Sequence, residues 1–319
     1  MSKQKRCVYY FGMNLETDPA AKHIFEAVEK TGKDLTATNQ MIDEWPVLEY
    51  KDEQDNIIHF VRTQRVIWHD LDCYLPIMKE HFEGYDFGGL ITWHEGDNAP
   101  DKIFSIHSAG DPLSGNFGPA NAEYMRNLML SMEKNRVVLG MDDYTVTTEA
   151  THWSSIVYSN AAAERVLEYN VPIVDIEIGS SPEAWANPDA AKVIANALFD
   201  VFNSDGKNIV HLLCAGGIHF EPSFAGAVFE SWDNNAFGVS HILANQWLVG
   251  GAYEEESGLE KIENCIASIV GGIGGIAIHD KMKGTYKEQF RILGAKYNVP
   301  VFKHQQLKRP KDIAWKKQP

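Results

Sequence analysis

Short apolar and β-branched runs recur along the chain, and most are separated by stretches with helical spacing. Strands are predicted at Arg6–Phe11, Ile57–Thr63, Gly88–Trp93, Ile103–His107, Tyr144–Thr151, Val171–Ile178, Ile209–Cys214, Phe237–Leu243, Gly275–His279 and Val299–Phe302. The clearest helix begins at Ser180/Ser181, where S-S-P-E offers a capping box from Ser180 to Glu183 and a proline in the first turn. From there Val193, Ile194, Ala197, Leu198, Val201 and Phe202 recur on one helical face. Further helices are predicted over Ala120–Lys134 and Tyr286–Tyr297. Strands alternating with helices imply crossover connections, hence an α/β fold with a central, mostly parallel mixed sheet flanked by helices. Ligands of such sheets bind beyond the carboxyl ends of the strands.

Composition changes this picture little. The 319 residues are 44% hydrophobic and 23% charged, as expected for a folded, soluble protein. No repeat or linker marks a boundary, so residues 1–302 read as a single α/β hydrolase-type domain and 303–319 as a basic C-terminal tail. The longest apolar segment, Ile266–Ile278, carries four glycines and is too short to span a membrane. The N-terminus lacks a secretory pattern, and the four cysteines Cys7, Cys73, Cys214 and Cys265 form no C-x-x-C pair; a cytoplasmic location is expected. The formal charge of −15 argues against a broadly basic nucleic-acid surface. The segment from Lys303 is locally basic, with six Lys and Arg against Asp312.

The chemistry gathers where predicted strands end. One strand runs into Glu149 and His152, and another into Gly216-Gly217, His219 and Glu221. A third leads from His107 into a glycine-rich loop with Asn116 and Phe117, and a fourth carries Asp175 and Glu177 on one face. Imidazoles, carboxylates and glycine backbone are the parts for activating water and stabilising an oxyanion. Each histidine alone also reads as a hydrogen-bonded structural residue, and Cys214 reads as packing. His94, His107, His152, His219 and His241 all lie at or near strands, yet no short-spacing pair announces a metal site. GGIGG at Gly271–Gly275 precedes a strand and lacks dinucleotide-loop spacing, so it reads as a connection.

Several strings together resemble the archaeal and plant type of D-aminoacyl-tRNA deacylase. Glu149-Ala150-Thr151-His152-Trp153-Ser154-Ser155 is similar to that family's E-A-T-H-H-G-P, and Ile176-Glu177-Ile178-Gly179-Ser180 to its F-x-E-I-G-S. Gly216-Gly217-Ile218-His219-Phe220-Glu221-Pro222 resembles G-G-G-H-Y-A-P, and Ser240-His241-Ile242 resembles G-H-I. His107 with Gly115-Asn116-Phe117-Gly118 resembles T-H-x-x-G-N-W-G, and Lys283-Gly284 a late W-K-G. The resemblance implies a phosphorylase/peptidyl-tRNA hydrolase-like fold and hydrolysis of the ester joining a D-amino acid to tRNA. It also implies a zinc requirement in some members. On that reading His152, His219, Glu149 and Glu177 are catalytic, and His107, Asn116, Phe117, Gly216, Gly217 and His241 bind substrate, with the Gly216-Gly217 backbone serving the oxyanion.

The chain departs from the pattern in one electrical direction. Trp153-Ser154-Ser155 replaces H-G-P, Glu221 replaces an alanine, Ala244-Asn245-Gln246 stands where a lysine is expected, and His94-Glu95-Gly96-Asp97 replaces a basic segment. Fewer cations at the pocket weaken attraction for a phosphate-rich substrate. Two alternatives therefore accompany the tRNA reading: a paralogue acting on a small ester, amide or modified amino acid, and a non-catalytic small-molecule-binding descendant.

Overall fold

The computed structural model describes residues 3–96, 99–153 and 163–315. The expected α/β architecture is present, with two principal sheets instead of one. The larger has eight strands, in the order Thr36–Ile42, Trp45–Lys51, Ile57–Thr63, Arg6–Gly12, Phe87–His94, Ile173–Ser180, Lys102–Ser108 and Thr145–Thr148. Its four middle strands from Ile57–Thr63 to Ile173–Ser180 run parallel, while Lys102–Ser108 runs antiparallel to Ile173–Ser180. The smaller sheet has five, in the order Ser231–Trp232, Asn235–Leu243, Asn208–Ala215, Gly275–Ile278 and Val301–Lys303, all parallel apart from the first pair.

Alternation along the strands explains the layers. Cys7, Tyr9 and Phe11 point into one hydrophobic cluster, and Val8 and Tyr10 point into another. Helices Ala21–Glu29, Ala122–Val138 and Pro188–Leu198 cover the first face, and Leu71–Phe82 covers the second. In the smaller sheet Leu212 and Cys214 join that same first cluster, whereas Leu213 and Ala215 pack with Ile262, Ile266 and Phe290 on the far side. One apolar core is thus shared by both sheets. Cys214 behaves as the packing residue expected, since burial pushes its thiol well above the ordinary range.

Three sequence expectations change. Helix formation at Ser180/Ser181 is interrupted: Ser181, not Ser180, caps the short helix Pro182–Trp185, and Asn187 caps a second one, Pro188–Leu198. Ser180 ends a strand instead. The polar hairpin Thr36–Ile42/Trp45–Lys51 was not expected as strand, because TATNQMI lacks apolar alternation. Residues 303–315 do not hang free: Leu307 and Ile313 are buried, and Trp315 stacks on Trp232 at 5.4 Å. Ser154, Ser155, Asp97, Lys316 and Lys317 lie outside the described residues.

The segment Glu149–His152 stitches the two sheets together. Glu149 N donates to Ile106 O and Gly110 N to His152 O on the larger-sheet side, while Ala150 N donates to His219 O and Thr151 N to Ile242 O on the other. The Glu149 and His152 side chains therefore sit at the seam.

Candidate active site

Four histidines and three carboxylates converge at this seam. Glu149, fully buried, accepts from His219 Nε2 at 2.9 Å, and its same oxygen lies 3.5 Å from His94 Nε2. His94 is placed by register, opposite Gly179, and its Nδ1 pairs with Ser180 Oγ at 2.7 Å. His107, opposite Asp175 on the antiparallel neighbour, lies 3.5 Å from Asp175 and 3.4 Å from Glu177. Its ring stacks on His152 at 3.8 Å, and His152 Nδ1 donates to Ala150 O. Asp175 in turn accepts from Trp68 Nε1 at 2.8 Å, and Trp153 packs edge-on against Trp68.

The charges sort themselves by environment. Burial pushes Glu149 up, but the His219 hydrogen bond and the nearby His107, His94 and His152 outweigh it and hold the carboxyl well below the usual range. Burial, reinforced by the Glu149 charge, drives Glu177 well above it. Burial opposes protonation of His107, yet Glu177 and Asp175 carry it up to about 10, so it is a buried cation. Burial and the His107 charge push His152 down to about 3, leaving a neutral ring with Nε2 as acceptor. Three donor sets here are compact enough for a metal: His94, Glu149 and His219; His107, Glu149 and His152; and His107, Asp175 and Glu177. Protonated His107 makes the second and third sets the poorer ones.

Other expected site residues fall elsewhere. His241 is buried, bonded through Nδ1 to Ser108 Oγ at 2.7 Å and through Nε2 to Ser268 Oγ at 2.9 Å, a satisfied structural histidine. Burial pushes it down to about 3. Phe117 packs edge-on against His241, and Asn116 bonds Ser114 in the small hairpin Gly110–Asp111/Asn116–Phe117, so neither touches the histidine cluster. Gly216 and Gly217 do make the tight turn, with φ of 87° and 78°. The Gly216 N–H, however, is committed to Leu243 O at 2.8 Å and does not serve an oxyanion. His94 joins the cluster from the end of the Phe87–His94 strand, and that strand-end position is its signal in the sequence. Beside the cluster a cavity of about 110 Å³ is lined by Val66, Leu90, Thr92, Trp93, His94, His152 and Glu177, among others.

A family model for D-aminoacyl-tRNA deacylase matches residues 81–302. The D-aminoacyl-tRNA deacylase of Thermoplasma volcanium is 24% identical over 208 residues, covering 61% of this chain and 70% of that one. That of Methanosphaerula palustris is 25% identical over 245 residues, 75% of this chain and 46% of its own length. That of Haloarcula marismortui is 31% identical over 175 residues, 51% of this chain and 35% of its own. The chain thus spans less than half the length of the last two. The crystal structure of a conserved protein of unknown function shares the fold, with a TM-score of 0.71 over 98% of this chain and 99% of that one at 19% identity. With its model matching well over half of the chain, the D-aminoacyl-tRNA deacylase family is the one to which this protein belongs.

Proposed function

We propose that this protein hydrolyses an aminoacyl ester, with D-aminoacyl-tRNA as its substrate class, and that His219 is the base oriented by Glu149. The observation that carries the reading is the 2.9 Å contact between a fully buried carboxylate and His219 Nε2, in a ring that is itself about a quarter exposed. A carboxylate accepting from Nε2–H fixes the tautomer with the lone pair on Nδ1. That nitrogen takes a proton from water as the water oxygen bonds to the ester carbonyl carbon. The carbon–oxygen bond to the ribose then breaks, and the imidazolium returns its proton to the departing ribose oxygen. His107, positive and sealed behind His152, keeps Glu149 ionised. The adjoining cavity of about 110 Å³ offers space for a small substrate group such as an amino-acid side chain.

With the His219 proton on Nδ1 in place of Nε2, the same donors fit zinc, and His219 then acts as a ligand and not as the base. His94 and His219 supply imidazole nitrogen, Glu149 supplies oxygen, Ser180 orients His94, and Glu149 Oε1 is buried without a hydrogen bond among the described residues. When bound by His94, Glu149 and His219, zinc supplies polarisation of the ester carbonyl and a more acidic water.

A second reading, a small ester in place of tRNA, is favoured by Glu95 lining the cavity and by Glu221 beside Gly217. Timed release of amino acid from D- and L-aminoacyl-tRNA tests the first: the D-form is expected to be lost faster. Equal rates, or none above buffer, overturn it. Turnover of a small uncharged aminoacyl ester without turnover of tRNA selects the second.

A further inference from the structure

The carboxyl end of the five-stranded sheet carries a second set of ligating side chains, apart from the seam. Gly275–Ile278 delivers His279 and Asp280, and its parallel neighbour Val301–Lys303 delivers His304. Ile278 lies opposite Lys303, so the residues just beyond are side by side. Asp280 Oδ1 is 3.8 Å from His279 Nδ1 and 3.7 Å from His304 Nδ1, and all three donor atoms lie within 4.8 Å of one another. Tetrahedral zinc with bonds of about 2.0–2.2 Å separates its ligands by roughly 3.3–3.6 Å. Closing the present gaps requires the two imidazole rings to turn out of their parallel stack so that both Nδ1 lone pairs meet at one ion.

The surroundings prepare these three atoms. Glu221 Oε2 stands 3.7 Å from His279 Nε2, on the far side of the ring, where a carboxylate orients a metal-bound histidine. Gln305 Nε2 donates to Asp280 Oδ2 at 3.0 Å and leaves Oδ1 to the histidines. The two rings stack at 4.1 Å and 15°, holding both Nδ1 atoms on the Asp280 side. Lys281 N–H donates to the single lone pair of His279 Nδ1 at 3.2 Å, which fixes the tautomer with Nδ1 unprotonated; a metal ion takes the place of this hydrogen bond. His304 Nδ1 is buried without a hydrogen-bond partner among the described residues.

We propose that His279, Asp280 and His304 bind a divalent transition-metal ion of the zinc class, with Glu221 orienting His279. The ion fastens the segment beginning at His304 to the sheet end and, through Glu221, to the loop that carries His219. Its role is structural.

Cobalt(II) and zinc titrations of the chelator-stripped, full-length protein test this, with visible absorption and dialysis stoichiometry as readouts. H304Q and D280N are each expected to lose one metal equivalent relative to wild type. E221Q keeps the equivalent but binds it about 10–100-fold more weakly. H219A retains it, and zinc raises the thermal midpoint of H219A but not of D280N. D280N changes no side-chain volume, so it carries the readout if H304Q fails to fold. Wild type that binds no metal overturns the proposal. So does an equivalent lost in H219A but kept in H304Q and D280N.

Discussion

At the residue scale, seven titratable groups share one seam and end in different states, because each has a different nearest neighbour. His219, in the turn after the Asn208–Ala215 strand, touches ionised Glu149, whereas His241, within the Asn235–Leu243 strand, is saturated by Ser108 and Ser268. H219A and E149Q are each expected to lower kcat by roughly 10²–10⁴-fold, the range for a positioned acid–base group, with little change in KM. Normal turnover in both removes the pair from the chemistry. The histidines also leave a signature in stability. Unfolded histidine titrates near 6.5, whereas His107 in the fold is carried up to about 10; its contribution is full below pH 6.5 and is lost as pH rises through 10. His152, pushed down to about 3, does the reverse: its contribution is present above pH 6.5 and is lost as pH falls toward 3. Thermal midpoints measured from pH 4 to 10 should therefore show the advantage of wild type over H107Q shrinking above pH 6.5. A constant difference across that interval contradicts a buried His107 cation.

At the scale of elements, geometry depends on close backbone approach. A Cβ on Gly179 would lie 2.6 Å from His94 Cβ and 2.8 Å from its carbonyl oxygen, so the Ile173–Ser180 strand tolerates only glycine opposite His94. G179A is expected to cost about 1–3 kcal/mol, as overpacking does, and to lower turnover by moving His94 and Ser180. Unchanged stability and activity would show that the pairing relaxes freely. Much of this level was legible in the sequence, because apolar runs with β-branched residues fix strands locally: Ile57–Thr63 is found with the expected bounds. The hairpin at Thr36–Lys51 was not, since its stability comes from pairing with neighbours and not from its own pattern. Nor was the division into two sheets, which depends on which strands pair across long separations. The motifs brought Glu149, His152, Glu177 and His219 to notice, but not which histidine is satisfied by hydroxyls. That is decided by Ser108 and Ser268, 133 and 27 residues away from His241.

At the scale of the whole molecule, the acidic chain must meet a polyanion if tRNA is its substrate, and the basic stretch from Lys303 is a concentrated cationic segment. This stretch is also part of the fold. Leu307 and Ile313 are buried, and Trp315 is packed on Trp232, so it is no free stacking surface for a base. Burying a Leu or Ile side chain contributes about 1.5–3 kcal/mol, and a folded protein holds only about 5–15 kcal/mol in total. Truncation after Phe302 is therefore expected to unfold the chain and to abolish turnover of tRNA and of a small ester alike. Charge must be removed without touching the packing. Lys303, Lys308 and Arg309 are exposed, Arg309 in a solvent-facing pair with Asp312 at 3.8 Å, whereas Lys311 pairs with Asp233 at 2.7 Å. The triple variant K303Q/K308Q/R309Q should keep the wild-type thermal midpoint and its rate on an uncharged aminoacyl ester. If these three cations meet phosphates, its KM for tRNA rises, and the slope of log affinity against log salt flattens by about 2–3. An unchanged slope would place the tRNA backbone on another face of the molecule.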